Sequence, residues 1–137
     1  LYVHVEAAGG RLTSVLALLD TGAAISVFDG RIAGKRLGFD PRAAPRDVVP
    51  LLGLLPGHGR LGYVHELRCF FGGYAAYAEL LLHVAFTDPD DPEPPFNVLG
   101  REGLHGRQDR GLFSQVQFGY QHYVPGGPPE VYLTFRP

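Results

Sequence analysis

One acidic residue stands where its type and its neighbours point to chemistry. Asp20 closes the apolar run Val15-Leu16-Ala17-Leu18-Leu19 and is followed at once by Thr21-Gly22-Ala23-Ala24. Asp and Gly both favour turns, so the bare tripeptide reads as an ordinary turn. Its setting says more. A carboxylate at the end of a buried apolar strand costs free energy unless it has partners or a task. The small residues after it let a backbone and a ligand approach closely. A second apolar strand, Ile25-Ser26-Val27-Phe28, follows directly. Much further along, Asn97-Val98-Leu99-Gly100-Arg101 places two aliphatic residues before a glycine.

The elements that must hold Asp20 read as strands and turns. The chain has 19 glycines and 12 prolines between short apolar runs, the pattern of an all-β domain with tight turns. Tyr2 to Ala7 is the first strand, turned by Gly9-Gly10. Leu12 to Leu19 is the second, so uniformly apolar that burial on both faces is expected. Ala24 to Phe28 is a third, followed by a short helix or turn around Arg31 to Leu37. Arg46 to Leu55 and Leu61 to Phe71 form the arms of a hairpin with Pro56-Gly57-His58-Gly59 at its tip. A strand from Ala75 to Phe86 leads to an exposed loop, Thr87 to Pro95, whose prolines lack ladder donors. Phe96 to Leu99 is a short strand, and Gly100 to His105 a brief helix. Leu112 to Tyr120 and Val131 to Phe135 are the last strands. The chain reads as one domain, residues 1–137. With no methionine and a start inside a strand, it is expected to be a piece of a longer chain.

These features, in this order, resemble the retropepsin family, the single-domain aspartic proteases typified by retroviral proteases and their cellular relatives. Members carry Asp-Thr-Gly-Ala after two or more aliphatics, then a glycine-rich hairpin flap, then aliphatic-aliphatic-Gly-Arg leading into a helix. The resemblance spans Leu1 to Leu104. Arginine-heavy composition, with Lys35 the single lysine, suggests a bacterial or other cellular member. The implied fold is a closed retropepsin-like β-barrel or sandwich with a flap and one short C-terminal helix. The resemblance implies that Asp20 is catalytic, and that Thr21 hydrogen-bonds to a partner chain and stiffens the turn. Gly22 and Ala23 would lie against substrate, with Leu54, Leu55, Gly57 and His58 over it on the flap. Gly100 and Arg101 would buttress the catalytic turn.

Two carboxylates are needed for such chemistry, and the chain has one Asp-Thr-Gly. Like charges in contact cannot both ionise, so the pair shares a proton. One member activates a water as general base while the other polarises the scissile carbonyl. The second Asp20 is therefore expected from a two-fold copy, which makes a homodimer part of the mechanism. Neither metal nor other cofactor is required. Departures from the family lie at Ala24, where retroviral members have an acid, and at Glu102, where Asp or Asn is usual. The proposed flap carries Pro56 and His58, and the proline-rich loop is long. These bear on substrate choice and dimer contacts. A non-catalytic dimerisation or peptide-binding domain of the same fold is the alternative, because a groove between flaps can hold an extended peptide uncut. A weaker one is a half-site that pairs with a different homologous chain or domain.

Composition excludes several other classes. With 137 residues, 45% of them hydrophobic and 19% charged, the chain can bury a core. A formal charge of −2 with scattered arginines argues against nucleic-acid binding. No run approaches the roughly 18 apolar residues of a membrane span, and no signal-peptide pattern opens the sequence. One cysteine, Cys69, cannot form an internal disulfide, which leans towards a reducing, cytoplasmic setting. It is expected to be a buried thiol. The histidines do not cluster as zinc ligands, and Asp88 to Glu93 lacks the spacing of a calcium loop, so it reads as a solvated linker. Ser14, Ser26 and Ser114 sit in no nucleophile elbow.

Overall fold

A computed structural model describes residues 1–52, 59–73, 76–103, 110–121, 125–127 and 130–135. Strand β1 (Tyr2–Glu6) turns Val3 and Val5 inward and pairs antiparallel with β2 (Leu12–Leu19). The turn between them uses Gly9 and Gly10 at φ 82° and 79°, a region that costs glycine nothing. On β2 only Val15 and Ala17 are buried, whereas Leu12, Leu16 and Leu18 face outward. Burial on both faces is thus incorrect. A run of aliphatics satisfies a one-sided strand as easily as a two-sided one, and only the inner side of β2 meets the core.

After the Asp20 turn comes β3 (Ser26–Phe28), shorter than expected at its start. Helix α1 (Gly30–Ile32) is capped by Asp29, whose carboxylate accepts from the Arg31 N–H at 3.0 Å. It continues as a π turn, Ala33–Leu37, and stops at Gly38 with φ 85°. Strand β4 (Asp47–Leu51) pairs antiparallel with β5 (Arg60–Gly73) from Asp47↔Val64 to Leu51↔Arg60, so the expected hairpin arms exist. The proposed tip residues Leu54, Leu55, Gly57 and His58 lie outside the described residues. Strand β6 (Ala76–Thr87) runs antiparallel to β5 along its whole length, and β7 is Asn97–Leu99. Strands β1, β2, β7, β3, β6 and β5 follow one another around a sheet that β1–β5 pairing closes into a six-stranded barrel, with β4 added outside β5. The chain is an all-β barrel. Among the described residues no helix is long and apolar enough to cross a membrane.

Two expectations near the C-terminus need correction. Gly100 to Gly103 is not helical, and Leu104 and His105 lie outside the described residues. Gly103 at φ 87° leaves helical space at that point. The short helix α2 comes later, at Leu112–Gln115, where a strand was expected, and buries Leu112 in the core. Strands β8 (Val116–Gln121) and β9 (Glu130–Phe135) then pair antiparallel as a separate two-stranded sheet. The acidic loop is strapped down rather than simply solvated. Arg42 pairs with Asp88 and Asp90, Arg60 with Asp91, and Arg31 with Glu93.

The core gathers Phe28, Leu37, Phe71, Leu82, Phe86 and Leu99. Phe86 meets Phe28 and Phe39 edge to face, at centroid distances of 6.1 and 5.5 Å. Cys69 is fully buried among them, and burial pushes its thiol up to about 12. A thiol reagent at neutral pH should therefore modify Cys69 only as fast as the protein unfolds. The folded value lies above the unfolded one, so stability should hold below about pH 8.5 and then fall as the unfolded thiolate forms. Labelling kinetics in urea and pH-dependent denaturation curves check both outcomes.

Candidate active site

Asp20 leaves the end of β2, half-buried, and its geometry is set by main chain on every side. Its N–H donates to the Leu99 carbonyl at 3.1 Å, tying it to the end of β7. Its own carbonyl accepts from the Ala23 N–H at 3.2 Å, which closes the turn. One carboxylate oxygen, Oδ1, accepts from the Gly22 N–H at 2.8 Å. Among the described residues Oδ2 has no hydrogen-bond partner. One oxygen is thus held by a backbone donor while the other is available to water, to a ligand or to a second carboxylate.

The turn is positioned by a wedge. Strand β7 lies between the two strands that flank Asp20, parallel to β2 (Leu19↔Leu99) and antiparallel to β3 (Val27↔Val98). The chain leaving β7 then runs under the turn. Arg101 N–H donates to Ala23 O at 2.8 Å, and Glu102 N–H to Ala24 O at 2.7 Å. Gly103 N–H shares the Ala24 carbonyl at 3.1 Å. The buried Gly100 N–H donates to the Ser26 hydroxyl at 3.0 Å. A Cβ on Gly100 would overlap the Ile25 backbone, so only glycine lets the two chains come this close. Gly111, at the start of α2, is packed against Arg101–Gly103 in the same way, which seats the helix behind the wedge.

Of the residues singled out from the sequence, Asp20, Gly22, Ala23, Gly100 and Arg101 come together here. Arg101 joins through its N–H. Its exposed side chain lies 3.6 Å from the Glu102 carboxylate. Thr21 is exposed at the tip of the turn. The cost once assigned to a carboxylate on a fully buried strand does not arise, because β2 is half exposed and Asp20 half-buried.

Two features went unassigned at the sequence level. On the outer face of β2 lies a pocket of about 610 Å3, walled by Leu1, Leu16, Leu18, Ile32 and Phe96, with Asp29, Glu93 and Arg36 as its charged lining. Exposed aliphatics on β2 are its signal, invisible until the buried face is known. On the opposite wall of the barrel, buried His83 on β6 stands across from Glu66 on β5, with Nε2 3.3 Å from the carboxylate. Arg46 also reaches that carboxylate, at 3.2 Å. The polar His83 inside the apolar run Leu80 to Phe86 was the available sign. The remaining described histidines lie elsewhere, His4 on Ser14 at 2.8 Å and His65 on the Pro41 carbonyl at 2.7 Å.

No protein-family model and no curated protein matches this chain. The class is therefore defined by fold and site alone: an all-β barrel that presents one turn-held carboxylate over a glycine-buttressed wedge.

The wedge makes a stability prediction. Gly100→Ala should cost about 1–3 kcal/mol through overpacking, and Ser26→Ala a similar amount by stranding the buried Gly100 N–H. Gly34→Ala, where an added Cβ meets nothing within 4 Å, should be neutral or stabilising by up to about 1 kcal/mol. Urea denaturation of the three variants tests the contrast.

Proposed function

We propose that this chain is a retropepsin-like aspartic endopeptidase domain that hydrolyses peptide bonds as a homodimer, with one Asp20 from each subunit. The observation that carries the reading is the state of the Asp20 carboxylate. Oδ1 is fixed by the Gly22 N–H, and Oδ2 is left open at the surface of a small-residue turn. A two-fold axis beside that turn brings two such carboxylates together, and the pair then shares one proton. The ionised member takes a proton from water as it attacks the scissile carbonyl. The protonated member donates to the carbonyl oxygen, and the proton on the first passes to the leaving amine. The two groups titrate as a unit.

Other features fit this role. Glycine at position 22 keeps side-chain bulk away from the carboxylate and from a substrate backbone, and Ala23 and Ala24 continue the small surface. The β4–β5 arms lead towards the residues assigned to the flap, Leu54 to Gly59. Thr21, exposed in the single chain, is available to bond across a two-fold axis. The partners of this reading are a peptide or protein substrate and a second copy of the chain; no cofactor takes part.

Asp20→Asn should lower peptide cleavage on the order of 10²–10⁴-fold without changing the thermal transition. Mixing wild type with an excess of Asp20→Asn should cut activity beyond simple dilution, because mixed dimers lack one carboxylate. Undiminished cleavage by the variant would sink the catalytic assignment. Activity that is merely diluted in the mixture would sink the shared site.

A further inference from the structure

One peptide plane links Asp20 to the hydroxyl of Ser26. The carbonyl of Leu99 accepts from the Asp20 N–H at 3.1 Å. The N–H of Gly100, on the opposite side of the same plane, donates to the Ser26 hydroxyl at 3.0 Å. A trans peptide is rigid, so its carbonyl and its N–H turn only together. A tilt that carried the Leu99 carbonyl away from Asp20 would pull the Gly100 N–H off Ser26. The two bonds also reinforce one another, because an amide that donates at its N–H is polarised into a better acceptor at its carbonyl.

Ser26 is placed to hold that plane. It is 0% exposed and opens β3, where parallel pairing with β6 (Ser26↔Val84) fixes its backbone. Solvent does not reach it, so water cannot stand in for the hydroxyl. Within Ile25-Ser26-Val27-Phe28 it puts one polar side chain into an apolar run, which costs free energy unless the polar group is used. The contacts around the turn otherwise join main chain to main chain. Ala23 N–H meets Asp20 O, Arg101 N–H meets Ala23 O, and the N–H groups of Glu102 and Gly103 meet Ala24 O. None of these bonds uses the Leu99–Gly100 plane. Among the described residues, and the Asp20 carboxylate aside, Ser26 supplies the side-chain contact of this set. Without its hydroxyl the plane keeps the bond to Asp20 and loses its anchor on the β3 side.

We propose that Ser26 is a positioning residue for the Asp20 carboxylate, acting through the Leu99–Gly100 peptide. The plane sets the main-chain direction at Asp20, and from that direction Oδ1 meets the Gly22 N–H at 2.8 Å while Oδ2 stays open. The effect on rate rests on the endopeptidase reading, whereas the hold on the Asp20 main chain needs no cleavage. Misplacing a reacting group by about 1 Å costs on the order of 10²-fold in rate. Gly22 and Ala23, the described residues expected against substrate, keep their chemistry, so the loss falls on kcat rather than on KM.

The test uses the full chain with Ser26→Ala, Ser26→Cys, Ser26→Thr and Val5→Ala. Cysteine keeps the volume but accepts weakly, and it serves where the alanine variant does not fold. Val5 is a buried core residue of β1 outside this set of contacts, so truncating it lowers stability without touching the plane. Two quantities are read: kcat and KM on a cleaved peptide, and the NMR shift of the Asp20 amide proton, which moves upfield as its hydrogen bond weakens. Ser26→Ala and Ser26→Cys should lower kcat by about 10–100-fold, leave KM within about twofold, and move the Asp20 amide upfield. Ser26→Thr, which keeps a hydroxyl, should recover most of both. Val5→Ala should melt lower yet keep kcat and the Asp20 shift. An Asp20 amide that stays in place in Ser26→Ala and Ser26→Cys overturns the proposal. So does an equal loss of kcat in Val5→Ala, or a folded Ser26→Thr that recovers neither quantity. A moved amide in a protein whose wild type cuts none of a wide peptide set would keep the positioning and remove the endopeptidase reading. Cleavage by wild type with an unmoved amide would do the reverse.

Discussion

The close approach of two backbones at Gly100 and Ile25 is the constraint on which the rest of the site depends. Strand β7 is only three residues long, yet it joins the strands on either side of Asp20. Its exit must then pass beneath the turn without a side chain in between. Gly100 permits that passage, and the N–H groups of Gly100 to Gly103 meet the Ser26 hydroxyl and the Ala23 and Ala24 carbonyls as it is made. The start of β3 is shortened for the same reason. Residues 24 and 25 are engaged with the wedge and do not continue the ladder.

A site held this way is rigid for a reason that does not involve the chemistry of neighbouring side chains. Backbone donors and acceptors are obligatory groups, and where they are buried they pair. Because the turn satisfies the wedge and the wedge satisfies the turn, neither can shift alone. The Asp20 carboxylate inherits that rigidity through one hydrogen bond from Gly22 while keeping its other oxygen open. Such a division suits a group that must stay in place and still exchange a proton.

Much of this was legible in the sequence, and the failures share a cause. The apolar runs, the glycine turns and the two motifs around Asp20 and Gly100 marked the strands, the hairpin arms and the wedge. These are local signals, and they survive folding. What could not be read depended on which face of a strand meets the core. Leu16 and Leu18 look like core residues until Val15 and Ala17 are seen to fill it. The pairing of His83 with Glu66 needs the β5–β6 register, and the bond from Arg36 to the Ser14 carbonyl needs the π turn folded back on β2. The helix expected after Gly100 failed because Gly103 adopts a left-handed φ and Leu112, further on, is the residue with a core to enter.

The same reasoning bears on Ala24 and Glu102, the positions at which the sequence differs from the retropepsins it resembles. Both contribute to the wedge through the main chain, Ala24 by its carbonyl and Glu102 by its N–H, and neither contact consults the side chain. An acid at position 24 would add a charge at the exposed edge of the turn, beside Asp20. Alanine there leaves that edge small and adds no second charge. A turn held at these two positions by main-chain contacts alone can therefore tolerate different side chains there without losing its shape.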